Sequence, residues 1–87
     1  MRILLHPEAA RYLQACSENI RSRMKKRLQE LEDQPEAKGK RLKHSPYYSL
    51  RIEDYRAIYM VDNAEGHVIV LFIGHRKDVY DDFDKIF

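Results

Sequence analysis

The sequence predicts a single α+β domain with the element order β-α-α-β-β-β, followed by a short C-terminal helix or tail. Two observations lead to this fold class. The first half carries helical periodicity, whereas the stretch from Tyr47 to Gly74 contains three runs of strand character separated by tight turns. Residues 1–87 have surface for only one modest core, so we expect one domain. We expect the two helices to form a hairpin on one face of an antiparallel sheet.

The N-terminal residues Met1–Leu5 are short and apolar, which predicts a first strand. His6-Pro7-Glu8 then opens a helix, because proline suits the first helical position and an acidic residue complements the helix N-terminus. The apolar residues of this helix fall on one face; they are Ala9, Tyr12, Leu13 and Cys16.

A second helix is predicted over Glu18–Asp33, with Ser17 as its N-cap. One face of this helix carries an apolar stripe, and the other face is strongly charged. The stripe consists of Ile20, Met24, Leu28 and Leu31. Gln34-Pro35-Glu36 ends the helix, and a basic loop from Lys38 to Pro46 leads to the sheet.

Three strands are predicted next: Tyr47–Ile52, Tyr55–Val61 and His67–Gly74. The first two alternate between the two faces of a sheet, and the third is apolar on both faces. That pattern is typical of a central strand covered on each side. The turn at residues 62–66 favours a hairpin, and Asp78–Phe87 forms the short acidic helix or tail.

The net charge of +2 is unevenly distributed. Residues 1–60 contain 13 Lys/Arg and 8 Asp/Glu, whereas residues 61–87 contain 3 Lys/Arg and 6 Asp/Glu. This asymmetry indicates a polyanionic partner on one part of the surface, although a charged helix face in water produces the same pattern.

Several classes of protein are excluded. The longest apolar run, Val68–Gly74, is far below the ~20 residues that a membrane span requires, and the N-terminus lacks the apolar region of a signal peptide. With a single cysteine, Cys16, no internal disulfide is possible. The sequence therefore predicts a cytoplasmic protein. No metal-ligand spacing or glycine-rich phosphate loop occurs, so we expect no metal and no cofactor.

A first candidate site is a run of basic and aromatic residues. Lysine and arginine neutralise phosphates and aromatic rings stack on unpaired bases, so the mixture favours single-stranded RNA. The alternative is that the tyrosines are half-buried strand residues and the lysines keep the loop in water. The run comprises Lys38, Lys40, Arg41, Lys43, His44, Tyr47, Tyr48, Arg51, Tyr55 and Arg56.

A second candidate site follows the last strand, where His75, Arg76 and Tyr80 come directly after the buried run. Histidine and tyrosine transfer protons, and arginine stabilises the charge of a pentacovalent phosphorane. Together these groups could cleave RNA by attack of the 2′-hydroxyl on the adjacent phosphate. The alternative is structural: His75 caps the sheet, Arg76 forms an ion pair, and Tyr80 packs in the core.

These residues resemble the RelE/ParE superfamily of toxins from type II toxin–antitoxin modules, and more closely its RelE branch. The resemblance lies in Leu50-Arg51 followed by Tyr55-Arg56-Ala57-Ile58-Tyr59, and in Ile73-Gly74-His75-Arg76 with Val79-Tyr80. The order and lengths of the elements agree over essentially the whole chain. The helical half agrees in pattern only.

The resemblance implies a RelE-like fold and a ribosome-dependent mRNA endonuclease that cuts the codon in the ribosomal A site. It also implies a cognate antitoxin that binds and blocks the toxin, with a monomeric free toxin and an oligomeric complex. The residues that match catalytic positions are Arg56, His75, Arg76 and Tyr80. The expected RNA-binding residues are Lys38, Lys40, Arg41, Lys43, Tyr47 and Arg51.

One departure concerns the strand before the Tyr-Arg motif, where well-studied RelE sites carry two lysines. Tyr47 and Ser49 occupy those positions here. The general base is therefore open, and His75 is a candidate. Two other functions stay open: a ParE-like inhibitor that acts by binding DNA gyrase, and a catalytically weak member.

Overall fold

The computed structural model describes all 87 residues, which form five strands, four α-helices and one 3₁₀ turn. None of the helices is long and apolar enough to cross a membrane. The elements are β1 (Arg2–Leu5), α1 (Pro7–Ala15), α2 (Glu18–Gln29), the 3₁₀ turn (Glu30–Glu32), α3 (Pro35–Lys38), β2 (Lys40–Arg41), β3 (Tyr47–Ile52), β4 (Tyr55–Asp62), β5 (His67–His75) and α4 (Val79–Ile86).

The strands form one sheet in the order β1-β5-β4-β3-β2. Strands β2 to β5 run antiparallel to their neighbours, which confirms the predicted hairpins. Strand β1 pairs in parallel with β5, and helices α1 to α3 and strands β2 to β4 lie between the two in the chain. The two-residue strand β2 and the four-residue helix α3 are too short to show a period, and the sequence did not predict them.

Local capping explains why the helix hairpin forms where it does. The side chain of His6 accepts the backbone N–H of Glu8 at 3.1 Å, and the hydroxyl of Ser17 accepts that of Ile20 at 3.4 Å. Arg21 joins the two helices, because its guanidinium donates to three carbonyl groups at the end of α1 and just after it. These contacts confirm the predicted helix starts.

The main core lies between the helix hairpin and one face of the sheet. It contains residues from both helices, the 3₁₀ turn and the three long strands. The predicted apolar stripe of α2 points into it, with Met24 fully buried and Ile20 packed at its edge. The buried members are Ala9, Leu13, Met24, Leu28, Leu31, Leu50, Ile52, Ala57, Tyr59, Val68, Val70 and Ile73.

A second core covers the opposite face of the sheet, where α4 packs. The predicted C-terminal segment is thus a helix, and its buried residues Val79 and Phe83 form this core with three strand residues. The strand residues are Ile58, Leu71 and Phe72. Strand β5 is therefore covered on both sides, as its continuous apolar run predicted.

Strand β5 contains a β-bulge. Ile58 pairs with Phe72 and Tyr59 pairs with Val70, so Leu71 has no partner of its own in β4. Leu71 and Phe72 consequently lie on the same face, in the second core. The alternation of side chains along β5 changes at this point.

Tyr59 fastens the segment before β3 to the main core. Its hydroxyl donates to the carbonyl oxygen of Pro35 at 2.6 Å, and burial raises the pKa of Tyr59 to about 12. Gly39 packs against this phenol. A Cβ at Gly39 would overlap the Tyr59 hydroxyl and approach the Ser49 carbonyl oxygen to 2.9 Å, so a side chain does not fit there.

Candidate functional site

The candidate site lies on the face of the sheet that α4 partly covers. Arg51 of β3 and Arg56 of β4 are direct cross-strand partners. They alternate with Leu50, Ile52 and Ala57, which belong to the main core, so both arginines point to the opposite face. We call this side of the sheet the arginine face, and the side packed by α1 and α2 the helix face.

The two arginines have few partners. Arg56 donates through Nη1 to the carbonyl oxygens of Tyr55 at 2.8 Å and Glu53 at 3.2 Å, which folds it over the β3–β4 turn. Arg51 is exposed, and neither guanidinium forms a salt bridge. Like charges directly opposite each other on neighbouring strands destabilise a sheet, so an anion bound between them would be favoured.

Arg76 comes to the same end of the sheet from the segment after β5. Its backbone N–H donates to the carbonyl oxygen of Asp54 at 2.8 Å, and its Nε lies 3.7 Å from the Asp54 carboxylate. Both side chains are more than half exposed. Such a pair is weak in water, so the Arg76 guanidinium remains available to a phosphate.

Helix α4 supplies Tyr80, and a close contact with β5 fixes where the helix begins. A Cβ at Gly74 would lie 3.2 Å from the side chain of Val79, so the glycine permits this approach. The Tyr80 hydroxyl lies 3.0 Å from the hydroxyl of Ser49, although the Tyr80 side chain is 41% exposed. Ser49 is two residues before Arg51 on the same face, ~7 Å along β3.

His75 is placed apart from this group. It pairs with Tyr55 across β4 and β5, and the two rings meet edge to face at 5.9 Å on the helix face. The Tyr55 ring in turn contacts Tyr12 of α1 at 6.3 Å. The imidazole Nδ1 accepts the backbone N–H of Lys77 at 3.3 Å, which caps the turn after β5. The ring of His75 therefore lies on the opposite face of the sheet from Arg51 and Arg56, because the bulge in β5 reverses the face of the residues after Leu71.

The predicted RNA-binding residues are dispersed. Lys40 pairs with Ser49 and so shares the arginine face, whereas Arg41 pairs with Tyr48 on the helix face. The Nε of Arg41 donates to the Ser45 carbonyl oxygen at 3.0 Å. Lys38 ends α3, and Lys43 is exposed in the loop before β3. The Tyr47 ring packs edge to face on Phe83 at 5.1 Å, so it is part of the second core.

The helix face carries two titratable side chains, Tyr12 and Cys16, whose pKa values are raised. Burial raises the pKa of Tyr12, and the neighbouring Cys16, Tyr55 and Asp78 raise it further. Burial also raises the pKa of Cys16, partly offset by Arg21, and the thiol donates to the Tyr12 carbonyl oxygen at 3.2 Å. The thiol is therefore held protonated and inert at neutral pH.

A cavity of about 410 Å³ lies away from the arginines. It lies between α1 and α4, beside the end of β5 that β1 does not reach, and its walls include Tyr12, Phe72 and Ile86. The arginine face is instead an open surface, which suits an extended polymer better than a small molecule. No group of three or more His, Cys, Asp or Glu side chains is placed to hold a metal ion.

Ser49 is the site residue that sequence reasoning did not assign. It is the only polar residue among the buried ones, with 7% of its surface exposed. Strand alternation predicts its face, but nothing in the sequence shows that Tyr80, 31 residues later, brings a hydroxyl to it.

A sequence model of the ParE toxin of type II toxin–antitoxin systems (parDE) matches residues 3–80. This match covers nearly the whole chain, and the chain belongs to this toxin family within the RelE/ParE superfamily. It is thus a toxin of the type II toxin–antitoxin class, which confirms the resemblance seen in the sequence. No match is found among curated protein sequences.

Solved RelE toxins share its fold. An arginine-to-alanine double mutant of Escherichia coli RelE in the free state is 24% identical, with a TM-score of 0.78, over 98% of this chain and 95% of that one. The RelBE2 toxin–antitoxin complex from Mycobacterium tuberculosis contains a chain 24% identical, with a TM-score of 0.76, over 86% and 96%. A YoeB/ParE toxin from Agrobacterium tumefaciens is 14% identical, with a TM-score of 0.68, over 86% and 98%.

Proposed function

We propose that this toxin is a ribosome-dependent mRNA endonuclease whose reacting phosphate binds on the arginine face. The observation that supports the proposal is the position of Arg51, Arg56 and Arg76 at the end of the sheet where β3 turns into β4. The Tyr80 hydroxyl reaches Ser49, two residues before Arg51 on the same face. Neither Arg51 nor Arg56 has a carboxylate partner. Unpaired guanidinium groups on an open surface are suited to a phosphodiester.

The proposed reaction is an attack of the ribose 2′-oxygen on the adjacent phosphorus, with cleavage of the bond from phosphorus to the 5′-oxygen. Arg56 and Arg76 stabilise the charge that develops on the phosphorane, so the scheme uses guanidinium groups where other nucleases use a metal ion. Tyr80 donates the proton that the leaving 5′-oxygen requires, and solvent water takes the proton of the 2′-hydroxyl. The products are a 2′,3′-cyclic phosphate and a 5′-hydroxyl.

The residues around this centre are assigned by their position. Arg51 and Lys40 share its face and contact the RNA backbone, and Lys38, Arg41 and Lys43 supply positive charge from the neighbouring segment. His75 lies across the sheet, so its proposed part is limited to supporting the turn that carries Arg76.

The proposed partners are the ribosome with its A-site mRNA and a cognate antitoxin. Relatives of the same fold have been solved as toxin–antitoxin complexes from Escherichia coli and Pyrococcus horikoshii. The free toxin would be a monomer in the cytoplasm and would enter oligomers with its antitoxin.

Induced expression with mapping of mRNA 5′-ends tests the proposal. We expect cuts within translated codons, which disappear when ribosomes are prevented from loading the message. The Arg56→Ala and Arg76→Ala proteins should be folded and should not arrest growth. Growth arrest at the parent's level in both variants would refute the assignment of the site.

A second candidate function is inhibition of DNA gyrase by binding, because the family model that matches is that of ParE. The two functions separate in one pair of assays. Inhibition of gyrase supercoiling by purified toxin, with intact mRNA after induction, would establish the second. Cut mRNA with unaffected supercoiling would establish the first. A weak nuclease is a third outcome, because Tyr47 and Ser49 stand where two lysines occur in well-studied RelE sites.

A further inference from the structure

We propose that Ser49 is a positioning residue for the Tyr80 hydroxyl, holding it as the proton donor to the leaving group. This inference deepens the proposed nuclease function and rests on it. The observation is the hydrogen bond at 3.0 Å between the two hydroxyl groups, which joins β3 to α4 across 31 residues.

The two residues differ in burial, so only one of them, Tyr80, is exposed enough to reach a bound RNA. Ser49 is 7% exposed and lies under the helix, whereas Tyr80 is 41% exposed at the edge of the open arginine face. A phenol ring has no torsional freedom except at its two side-chain bonds and the hydroxyl rotor. The hydrogen bond to Ser49 therefore restricts the position of the Tyr80 hydroxyl oxygen.

The chemistry requires Ser49 to be the donor in this pair. When the serine O–H donates to the phenolic oxygen, the phenol proton is free to point outward to a bound RNA. After that proton moves to the 5′-oxygen, the negative charge on the phenolate is met by the hydrogen bond from Ser49. The phenolate recovers a proton from solvent water once the product leaves.

The neighbours of Ser49 support its proposed role in positioning the Tyr80 hydroxyl. Its cross-strand partner on β2 is Lys40, an exposed cation without a salt bridge, and Arg51 is two residues further along β3. Both cations thus occupy positions next to Ser49 on the face that carries the Tyr80 hydroxyl, and positive charge on this face favours the phenolate that proton donation leaves.

The competing explanation of this hydrogen bond is that Ser49 has a purely structural role. The hydrogen bond also fastens α4 to the sheet, together with the packing of Val79 and Phe83. If that were its whole effect, loss of the Ser49 hydroxyl would lower stability and would reduce cleavage regardless of what stands at residue 80.

The test is a double-mutant cycle in single-turnover cleavage of mRNA on programmed ribosomes, with the parent, Ser49→Ala, Tyr80→Phe and the double variant. We expect Ser49→Ala to lower the maximal rate roughly tenfold, the size of one lost hydrogen bond, without changing the half-saturating ribosome concentration. In the Tyr80→Phe background the same change should alter the rate less than about twofold. Ser49→Thr keeps a hydroxyl and should recover most of the rate.

The outcomes are distinct. Equal rate losses in the two backgrounds, or no loss in the parent background, would overturn the positioning assignment while the nuclease function stands. A parent protein that cuts no mRNA would overturn both. Thermal unfolding of all variants controls for folding, and the Ser49→Thr protein shows whether a hydroxyl at this position is what the rate depends on.

Discussion

Both faces of the sheet carry aromatic and charged residues, but the two faces differ in how enclosed those residues are. On the helix face, Tyr12, Tyr55 and His75 contact one another ring to ring and are partly enclosed by α1. On the arginine face, Arg51, Arg56 and Arg76 remain open around one end of the sheet. On the helix face the Tyr59 hydroxyl and the His75 Nδ1 have hydrogen-bond partners within the chain, whereas Arg51 and Arg56 have no carboxylate partner.

This difference predicts that substitutions on the two faces have different consequences. Covering a sheet with two helices requires its polar groups to be paired, because an unpaired buried group is costly. The eight-residue α4 covers only part of the opposite face, and the uncovered part can keep like charges unpaired. Substitutions should therefore affect folding from one face and chemistry from the other.

The largest expected effect is that of Arg56→Ala on cleavage. Loss of this guanidinium should lower the single-turnover rate roughly 10²–10³-fold, the range seen when one charge-stabilising donor is removed. Because Arg56 contacts only turn carbonyls and forms no salt bridge, thermal stability should change little. Rate and melting temperature measured on the same preparation check both parts.

The matched control for Arg56 is Lys85→Ala, which removes one exposed cation from α4 without touching the arginine face. It should keep the parent's rate within about twofold, because screening weakens distant charges. A comparable loss in both variants would mean that net charge, and not the position of Arg56, governs the rate.

The helix face should show the reverse pattern at Tyr59. Its raised pKa of about 12 means that the folded protein favours the neutral phenol more than the unfolded chain does. The stabilising effect of the neutral Tyr59 phenol is fully present below pH ~10. The free energy of unfolding then falls by about 2 kcal/mol as the pH rises from 10 towards 12. Denaturant unfolding at pH 9, 10, 11 and 12 measures it.

Tyr59→Phe separates this titration from other alkaline effects. The variant loses the hydrogen bond to the Pro35 carbonyl, at a cost of about 1–2 kcal/mol near neutral pH. Its stability should then decline less steeply above pH 10 than that of the parent. Parallel declines in the two proteins would show that groups other than Tyr59 titrate.

A smaller effect is expected of His75→Ala. Since the imidazole lies across the sheet from the arginines, the cleavage rate should fall less than about tenfold, through a looser turn at Arg76. A loss as large as that of Arg56→Ala would show that His75 enters the reaction and would contradict the separation of the two faces. Single-turnover rates at pH 6 to 8 are the measurement.

The smallest effect concerns the repulsion between Arg51 and Arg56. Arg51→Gln should raise the free energy of unfolding by about 0.2–1 kcal/mol at low salt, because it removes a like-charge cross-strand pair. The gain should shrink in 1 M salt, where the screening length is only ~3 Å. A gain that is independent of salt would point to packing and not to charge.

Much of this arrangement could be predicted from the sequence. Alternation along β3 predicted that Leu50 and Ile52 share one face and that Arg51 lies on the other, and the structure agrees. Pro7 with Glu8 and the N-cap Ser17 predicted the two helix starts for a local reason, since the signals lie within the first turn of each helix.

The remainder depends on contacts between distant residues. The parallel pairing of β1 with β5 is decided by how the helix hairpin packs, and the bond from Tyr80 to Ser49 by how α4 crosses the sheet. The sequence placed His75 with Arg76 because the two are adjacent in the chain, and it does not reveal where the alternation in β5 is interrupted. At that interruption Leu71 and Phe72 both lie on the face that α4 packs against.

The bulge at Leu71 reverses the face of the sheet to which each later side chain of β5 points. With even alternation from Val68, position 75 would fall on the arginine face and position 74 on the helix face. One inserted residue exchanges the two. It places Gly74 beneath Val79, where a Cβ would make a tight contact of 3.2 Å, and it places the His75 ring on the helix face. Deletion of one residue at the bulge of this chain would thus place the His75 ring on the arginine face.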